Sequence, residues 1–439
     1  MELTVEQVLA LAPDAGSAAN GRKLGKPGPW KNVGQTAATL WGECQGSAVY
    51  QVRVDVSAFG YKCSCPSRKL PCKHVLGLLL LVVGSPASVP EGEPPEWVHQ
   101  WLSNRAARAQ KSEAKQETGK APDAAAQAKR AEQRQKRIGE GIDRLDLWLS
   151  DLVRNGLAGL ELQPPSFWEE QARRLVDAQA PGLAARFRSL GELPGSRPDW
   201  PMRVLQDLGR LALLTHAYRR LGQLDPALQS DVRQLVGWTV RQEDLAQLGE
   251  TVRDEWLIVG QSVEAEDRVT VQRNWLVGAK TARTALVLQF SAAGQPYPEA
   301  IMPGTRQDAD LVFWPGAYPQ RARFGQRHGP VSSIAASLPG PPAIEEFLDE
   351  YAAALARQPW LDRTVCVLRD VVPVPHDSAR WQIRDRTDRA LPLAARAHWK
   401  LLAVSGGQPV DLAAEWNGES LLPLGTFAEG AYHLLGAEE

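Results

Sequence analysis

Cys63, Cys65, Cys72 and His74 stand in the pattern Cys-x-Cys, six residues, Cys-x-His. Thiolate and imidazole are donors zinc prefers, and four of them close a tetrahedron with no position left for water. The chemistry expected is therefore one structural zinc and no catalytic residue. Three thiolates and one Zn2+ sum to a single negative charge, which neighbouring cations would offset. Lys62, Arg68, Lys69 and Lys73 lie in the same stretch, and they are also the candidates for touching nucleic acid or a partner. Two other readings compete. The cysteines are then unrelated buried thiols beside a surface histidine, or they do redox work, which lacks its usual Cys-x-x-Cys unit in a βαβ setting.

Such a site needs a strand end and turn to present Cys63 and Cys65, and the first turn of a helix to present Cys72 and His74. Gly60 to Cys65 reads as the short strand, and the apolar run Val75 to Val83 as the helix. Pro66 and Pro71 would stiffen the loop between them. Upstream, Thr36 to Cys44 and Ala48 to Ser57 read as strands joined at Gln45-Gly46. In the second, Tyr50, Val52, Val54 and Val56 alternate with Gln51, Arg53 and Asp55, which places one set on a buried face. Residues 3–12 have helical spacing with Thr4 and Gln7 as a capping box, and Gly21 to Pro29 reads as a loop.

The ligand pattern resembles the SWIM zinc finger family, whose motif Cys63, Cys65, Cys72 and His74 match in all four places. The context Lys-His-Val-Leu-Gly-Leu-Leu-Leu-Leu after Cys72, and Trp41-Gly-Glu-Cys-Gln-Gly-Ser47 with its following strand, are similar to bacterial members. The resemblance covers about residues 36–83. It implies contacts with DNA or protein, and an association with AAA-type ATPases and von Willebrand A-domain proteins.

The rest of the chain has a different texture. At 439 residues, 44% hydrophobic and 23% charged, it has the composition of ordinary globular proteins of several domains. Ser103 to Lys136 collapses to Ala, Gln, Lys, Arg and Glu, a linker or a solvated helix. Residues 140–250 show helical stripes, Ile142, Leu145, Leu149, Leu152 and Leu205, Leu208, Leu211, Leu214, with caps at Ser166/Glu169 and Asp225-Pro226. After Thr251 short β-type runs take over (Arg268 to Val277, Thr284 to Phe290, Val365 to Val374, Trp381 to Arg384), interrupted by a helix at Ile344 to Ala356. The fold expected is α+β and multidomain: a small zinc-binding ββ(β)α module over 1–102, a charged linker over 103–139, a helical domain over 140–250 and a β-rich domain over 251–439. Loss of zinc should unfold the first and spare the others.

No apolar run approaches the length of a membrane span, and the N-terminus lacks a secretory pattern, so a cytoplasmic location is expected. Residues 1–140 hold 19 Lys and Arg against 13 Asp and Glu, leaving 31 against 38 for the remainder. The basic front suits an anionic partner or a solvated tether.

Other candidates read as structural. Cys44 and Cys366 look like strand residues, His216 like a core or boundary residue, and His328, His376 and Asp377 like loop residues. There is no phosphate-binding glycine loop. Of fifteen tryptophans, Trp256, Trp275, Trp314, Trp381, Trp399 and Trp416 fall in the β-rich part and are expected to pack a core. Phe313 to Pro319 is the candidate exposed aromatic loop. The leading function is a non-enzymatic zinc-binding interaction protein whose finger contacts DNA or a protein. The alternative is an adaptor whose C-terminal half binds while the finger only stabilises. A third is an enzyme in the β-rich region, for which no paired-carboxylate or Ser-His-Asp set can be assembled.

Overall fold

A capping box starts the chain's first helix, α1 (Val5–Ala10): the Thr4 hydroxyl accepts from Gln7 N–H, and the Gln7 amide oxygen accepts from Thr4 N–H. In the computed structural model, which describes residues 3–57, 59–67, 69–117, 124–266, 269–292, 297, 299–377 and 380–435, α2 (Ala15–Leu24) follows. Next come four antiparallel strands in sequential order, β1 (Trp30–Gln35), β2 (Thr39–Gln45), β3 (Val49–Asp55) and β4 (Gly60–Cys63), and then α3 (Lys73–Gly84). Beyond Lys73 and His74, α3 has no polar side chain, and Val75, Leu76, Leu78, Leu79 and Leu81 are fully buried. It shares one core with Leu40 of β2 and Val52 and Val54 of β3.

The opposite side of α3 is covered by α2, in a segment whose glycines suggested a loop. The glycines serve close packing instead. A Cβ at Gly21 would lie 2.8 Å from the Leu76 Cβ, one at Gly25 2.9 Å from the Leu80 Cβ, and one at Gly77 2.6 Å from the Leu24 Cβ. The loop begins only at Gly25, which caps α2.

The described residues of the Ala/Lys/Gln-rich stretch, 103–117 and 124–136, are helical, as their good helix formers allow. They belong to α4 (Glu96–Glu117) and the start of α5 (Ala124–Asn155). Then follow α6 (Pro165–Asp177), α7 (Pro181–Gly191), α8 (Trp200–Arg219), α9 (Pro226–Val236) and α10 (Gln242–Leu248). Ile142, Leu145, Leu149 and Leu152 of α5 are buried against Phe187 of α7 and Leu208, Leu211 and Leu214 of α8. Leu205 is 50% exposed and Val204 takes the core position, because the stripe drifts one residue at the helix start. Asp225 caps α9 as expected, accepting from Ala227 and Leu228 N–H. Ser166 does not cap. Pro165 already begins α6, and Glu169 instead pairs with Arg188. His216 is exposed on α8.

Two β layers form the C-terminal region. The first contains β5 (Glu250–Glu266), β6 (Val269–Gly278), β7 (Thr284–Ala292), β8 (Thr305–Phe313), β9 (Arg321–Arg327) and the short β10 (Ser332–Ser333). Arg268, the expected start of β6, lies outside the described residues. Since β9 pairs with both β7 and β8, the sheet closes on itself around Trp256, Leu276, Leu311 and Phe313. After α11 (Ile344–Arg357), the second sheet has the order β13-β12-β11-β14-β15-β16. Its strands are β11 (Thr364–Pro375), β12 (Trp381–Arg384), β13 (Ala390–Pro392), β14 (Val410–Trp416), β15 (Leu421–Ala428) and β16 (Ala431–Leu434), with α12 (Trp399–Ser405) inserted. The two layers share a core that includes Val259, Trp275, Val367 and Ala413. The tryptophans pack as expected, apart from Trp399 at 54% exposure. The expected aromatic loop does follow β8 and residues 315–319 are half-buried, but Phe313 at the strand end and Trp314 are buried and not exposed.

The N-terminal module is not self-contained. Gln7 donates to the Gly304 carbonyl (2.5 Å) and accepts from the Ser333 hydroxyl (2.8 Å), while Gln307 donates to the Ser57 carbonyl (2.7 Å). Met302 and Val331 join the finger's own core. Loss of zinc is therefore expected to reach the β region at this shared boundary, rather than to spare it.

Gly77 and Gly84 lie in the same helix and test the packing directly. Gly77→Ala should destabilise the protein by about 1–3 kcal/mol, because its Cβ would meet Leu24. Gly84→Ala has nothing within 4 Å and should be neutral or stabilising by up to about 1 kcal/mol. Thermal unfolding of the two variants distinguishes them, and equal melting points would contradict the close approach.

Candidate metal centre

Strand β4 ends on Cys63, and the chain turns at once to bring Cys65 back, its N–H donating to the Cys63 sulfur at 3.5 Å. Between them Ser64 is fixed to β3. Its N–H donates to the Gln51 carbonyl (3.1 Å), and its hydroxyl accepts from Gln51 N–H (2.9 Å). Cys72 is the N-cap residue of α3, and His74 sits in the first turn. The strand end and helix start thus present two ligands each, in the arrangement expected from the spacing.

His74 Nδ1 lies 3.7 Å from Cys63 Sγ and 4.0 Å from Cys72 Sγ, and one donor atom from each of the four residues falls within 4.8 Å of the others. With Zn–S near 2.3 Å and Zn–N near 2.0–2.1 Å, the edges of a tetrahedron are about 3.5–3.8 Å, so small side-chain adjustments complete the site. Three thiols and one imidazole without a carboxylate form a donor set suited to zinc. The four donors suit a single structural zinc, whose tetrahedral positions they would fill without water. Tyr50 stacks on the His74 ring at 4.7 Å and 30°, which fixes the ring plane.

The thiols are not equivalent. Cys72 is drawn down to about 4 by the hydrogen bond from Cys63, helped by His74 and the Val75 N–H at the start of α3, against the cost of its burial. Cys63, as donor to that thiolate and itself buried, is pushed well up, and burial also raises Cys65. Metal binding therefore displaces the remaining thiol protons, and zinc is released in acid.

Lys62 on β4 and Lys73 on α3 are exposed beside the site. Lys69 is exposed as well, but its ammonium lies 2.8 Å from Asp14, whose carboxyl it holds down at about 2. Arg68 lies outside the described residues. Cys44 is fully buried on β2 and Cys366 on β11, neither of them among the ligands. His328 pairs with Asp310 at 3.0 Å. Among the described residues no second cluster of His, Cys, Asp and Glu suits a metal.

Sequence reasoning missed the covering of the sheet's other face. Arg53 and Asp55 of β3, expected to point to solvent, are buried beneath α4. The Arg53 guanidinium lies 5.2 Å from the Trp97 ring and 6.0 Å from Trp101, and Arg105 pairs with Asp55. Trp97, Trp101 and Arg105 recur at four-residue intervals, a stripe on one helix face whose first two members precede the charged stretch.

One zinc per chain should be found, with X-ray absorption giving three sulfurs and one nitrogen. Cys72→Ser should lose it. Because Met302 and Val331 share the core of α3, this variant should also become sensitive to proteolysis near residues 299–333. Unchanged cleavage there would show that the shared boundary does not transmit the loss.

Residues 50–82 match the SWIM zinc finger, and residues 133–236 match the SWIM-associated four-helix bundle domain. No curated protein and no solved structure matches the chain. The second match covers most of α5 through α9, the helices that surround the Phe187 core. The chain thus contains a segment similar to the SWIM zinc finger, followed by one similar to the SWIM-associated four-helix bundle domain.

Proposed function

We propose that this protein is a non-enzymatic interaction protein whose zinc finger contacts nucleic acid, the metal serving to hold the contacting surface in shape. One observation carries the reading: exposed Lys62 and Lys73 flank a metal site that has no open coordination position. A filled coordination sphere leaves the zinc no Lewis-acid role. The excess of cations over acids in residues 1–140, 19 against 13, supplies a field that favours a polyanion. Lys69 contributes less than its sequence position suggests, since Asp14 neutralises it.

Binding should be weak and sensitive to salt. On duplex DNA each phosphate contact gives about −0.9 in the slope of log affinity against log salt, so Lys62→Ala with Lys73→Ala should remove roughly 1.8 while the zinc stays bound. Fluorescence anisotropy of the full-length zinc-loaded protein at several salt concentrations reads this slope. No binding of duplex or single strand at low salt would reject the reading in favour of a protein partner.

A further inference from the structure

Helix α4 and strands β3 and β4 enclose a cleft of about 370 Å³ on the face of the finger sheet opposite α3. Its floor is Arg53, which is 8% exposed and whose Nε has no hydrogen-bond partner among the described residues. A buried guanidinium with an unsatisfied donor is costly unless an acceptor completes it. The neighbouring acid does not do so, since Asp55 accepts from Arg105 and from the backbone and hydroxyl of Ser57. Arg105 and Lys62 add positive charge to the wall, and no carboxylate lines the cleft. The remaining wall combines the half-buried rings of Trp97 and Trp101 with the exposed amides of Gln100 and Asn104.

Cations, indole rings and amides in one narrow cleft match the three parts of a nucleotide. Phosphate takes the guanidinium fork, a base stacks on an aromatic ring, and amides reach base edges. An acidic peptide would use the cations and amides but offers no planar base to stack on the rings. A duplex keeps its bases inside the stack, so its phosphates alone could reach a recess of this size. We propose that this cleft binds single-stranded nucleic acid, one nucleotide of the strand entering between α4 and the sheet with its phosphate on Arg53. The proposal rests on the nucleic-acid reading above and adds to it a site for the single strand on the face of the sheet opposite α3, with Lys62 common to both.

The test uses full-length zinc-loaded protein and a fluorescein-labelled twelve-nucleotide oligo(dT), beside a duplex of equal length. The single strand should bind more tightly, and Trp97→Ala should weaken it by roughly tenfold or more through loss of stacking. Trp97 also packs on Arg53, so Asn104→Asp serves as a second variant. Asn104 is exposed, and the added carboxylate should weaken the single strand by about tenfold without altering zinc content or melting. Trp97→Ala should leave duplex affinity unchanged, and Asn104→Asp should lower it less than it lowers single-strand affinity. If Asn104→Asp and Trp97→Ala bind oligo(dT) like the parent while Lys73→Ala does not, the cleft is overturned and the broader reading survives. If neither form of DNA binds at low salt, both fail. Displacement of oligo(dT) by polyglutamate of equal charge would overturn the nucleotide assignment in favour of an acidic protein.

Discussion

A helix that is apolar on every side has to be enclosed, and most of the N-terminal half of this structure follows from that requirement. From Val75 to Val82 α3 offers water almost nothing. Fully burying a single Leu or Val contributes about 1.5–3 kcal/mol, so leaving any face of α3 uncovered would be expensive. The sheet covers one face and α2 another, approaching closely enough that glycine is needed at Gly21 and Gly77. Residues from the first β layer close the remaining boundary. The zinc acts at the one polar end of this helix, tying its first turn to the end of β4. The metal therefore orients the helix, and burial keeps it in place.

The parts of the fold that were legible in the sequence are those set by local rules. The ligand spacing, the Thr4 capping box, the Asp225 cap and the acidic start of α11 each depend on residues within a few positions of one another. What escaped depends on distant covering. Arg53 and Asp55 looked solvent-facing because alternation in β3 was read with one face buried, whereas α4, more than forty residues later, covers the second. Gly21 looked like a loop residue because the close approach of Leu76 is invisible from its own neighbourhood. The closure of the first β layer relies on the parallel pairing of β7 with β9, which no turn signal announces.

Charge in the finger region is arranged by pairing as much as by composition. Lys69 is held by Asp14, Arg105 by Asp55, and Lys400 reaches Glu6 from the far end of the chain at 2.7 Å. Pairing within the front leaves its excess of cations unchanged, and Lys400, by neutralising Glu6, adds to it. Solvent screens surface pairs of this kind, so their larger effect is on where the positive potential remains.

The buried amide of Gln7 joins the first helix to Gly304 and Ser333, partners roughly three hundred residues further along the chain. At a ribosomal rate of about 5–20 residues per second, those partners emerge on the order of 15–60 seconds after α1 has left the tunnel. During that interval the four metal ligands are already available, but the surface formed by Leu3 and Val8 lacks Met302 and Val331. Zinc loading can come early in synthesis, whereas docking of the finger has to wait for the β layer. The order of synthesis thus allows the finger to bind its metal before it is fully covered, with its apolar edge open in that window.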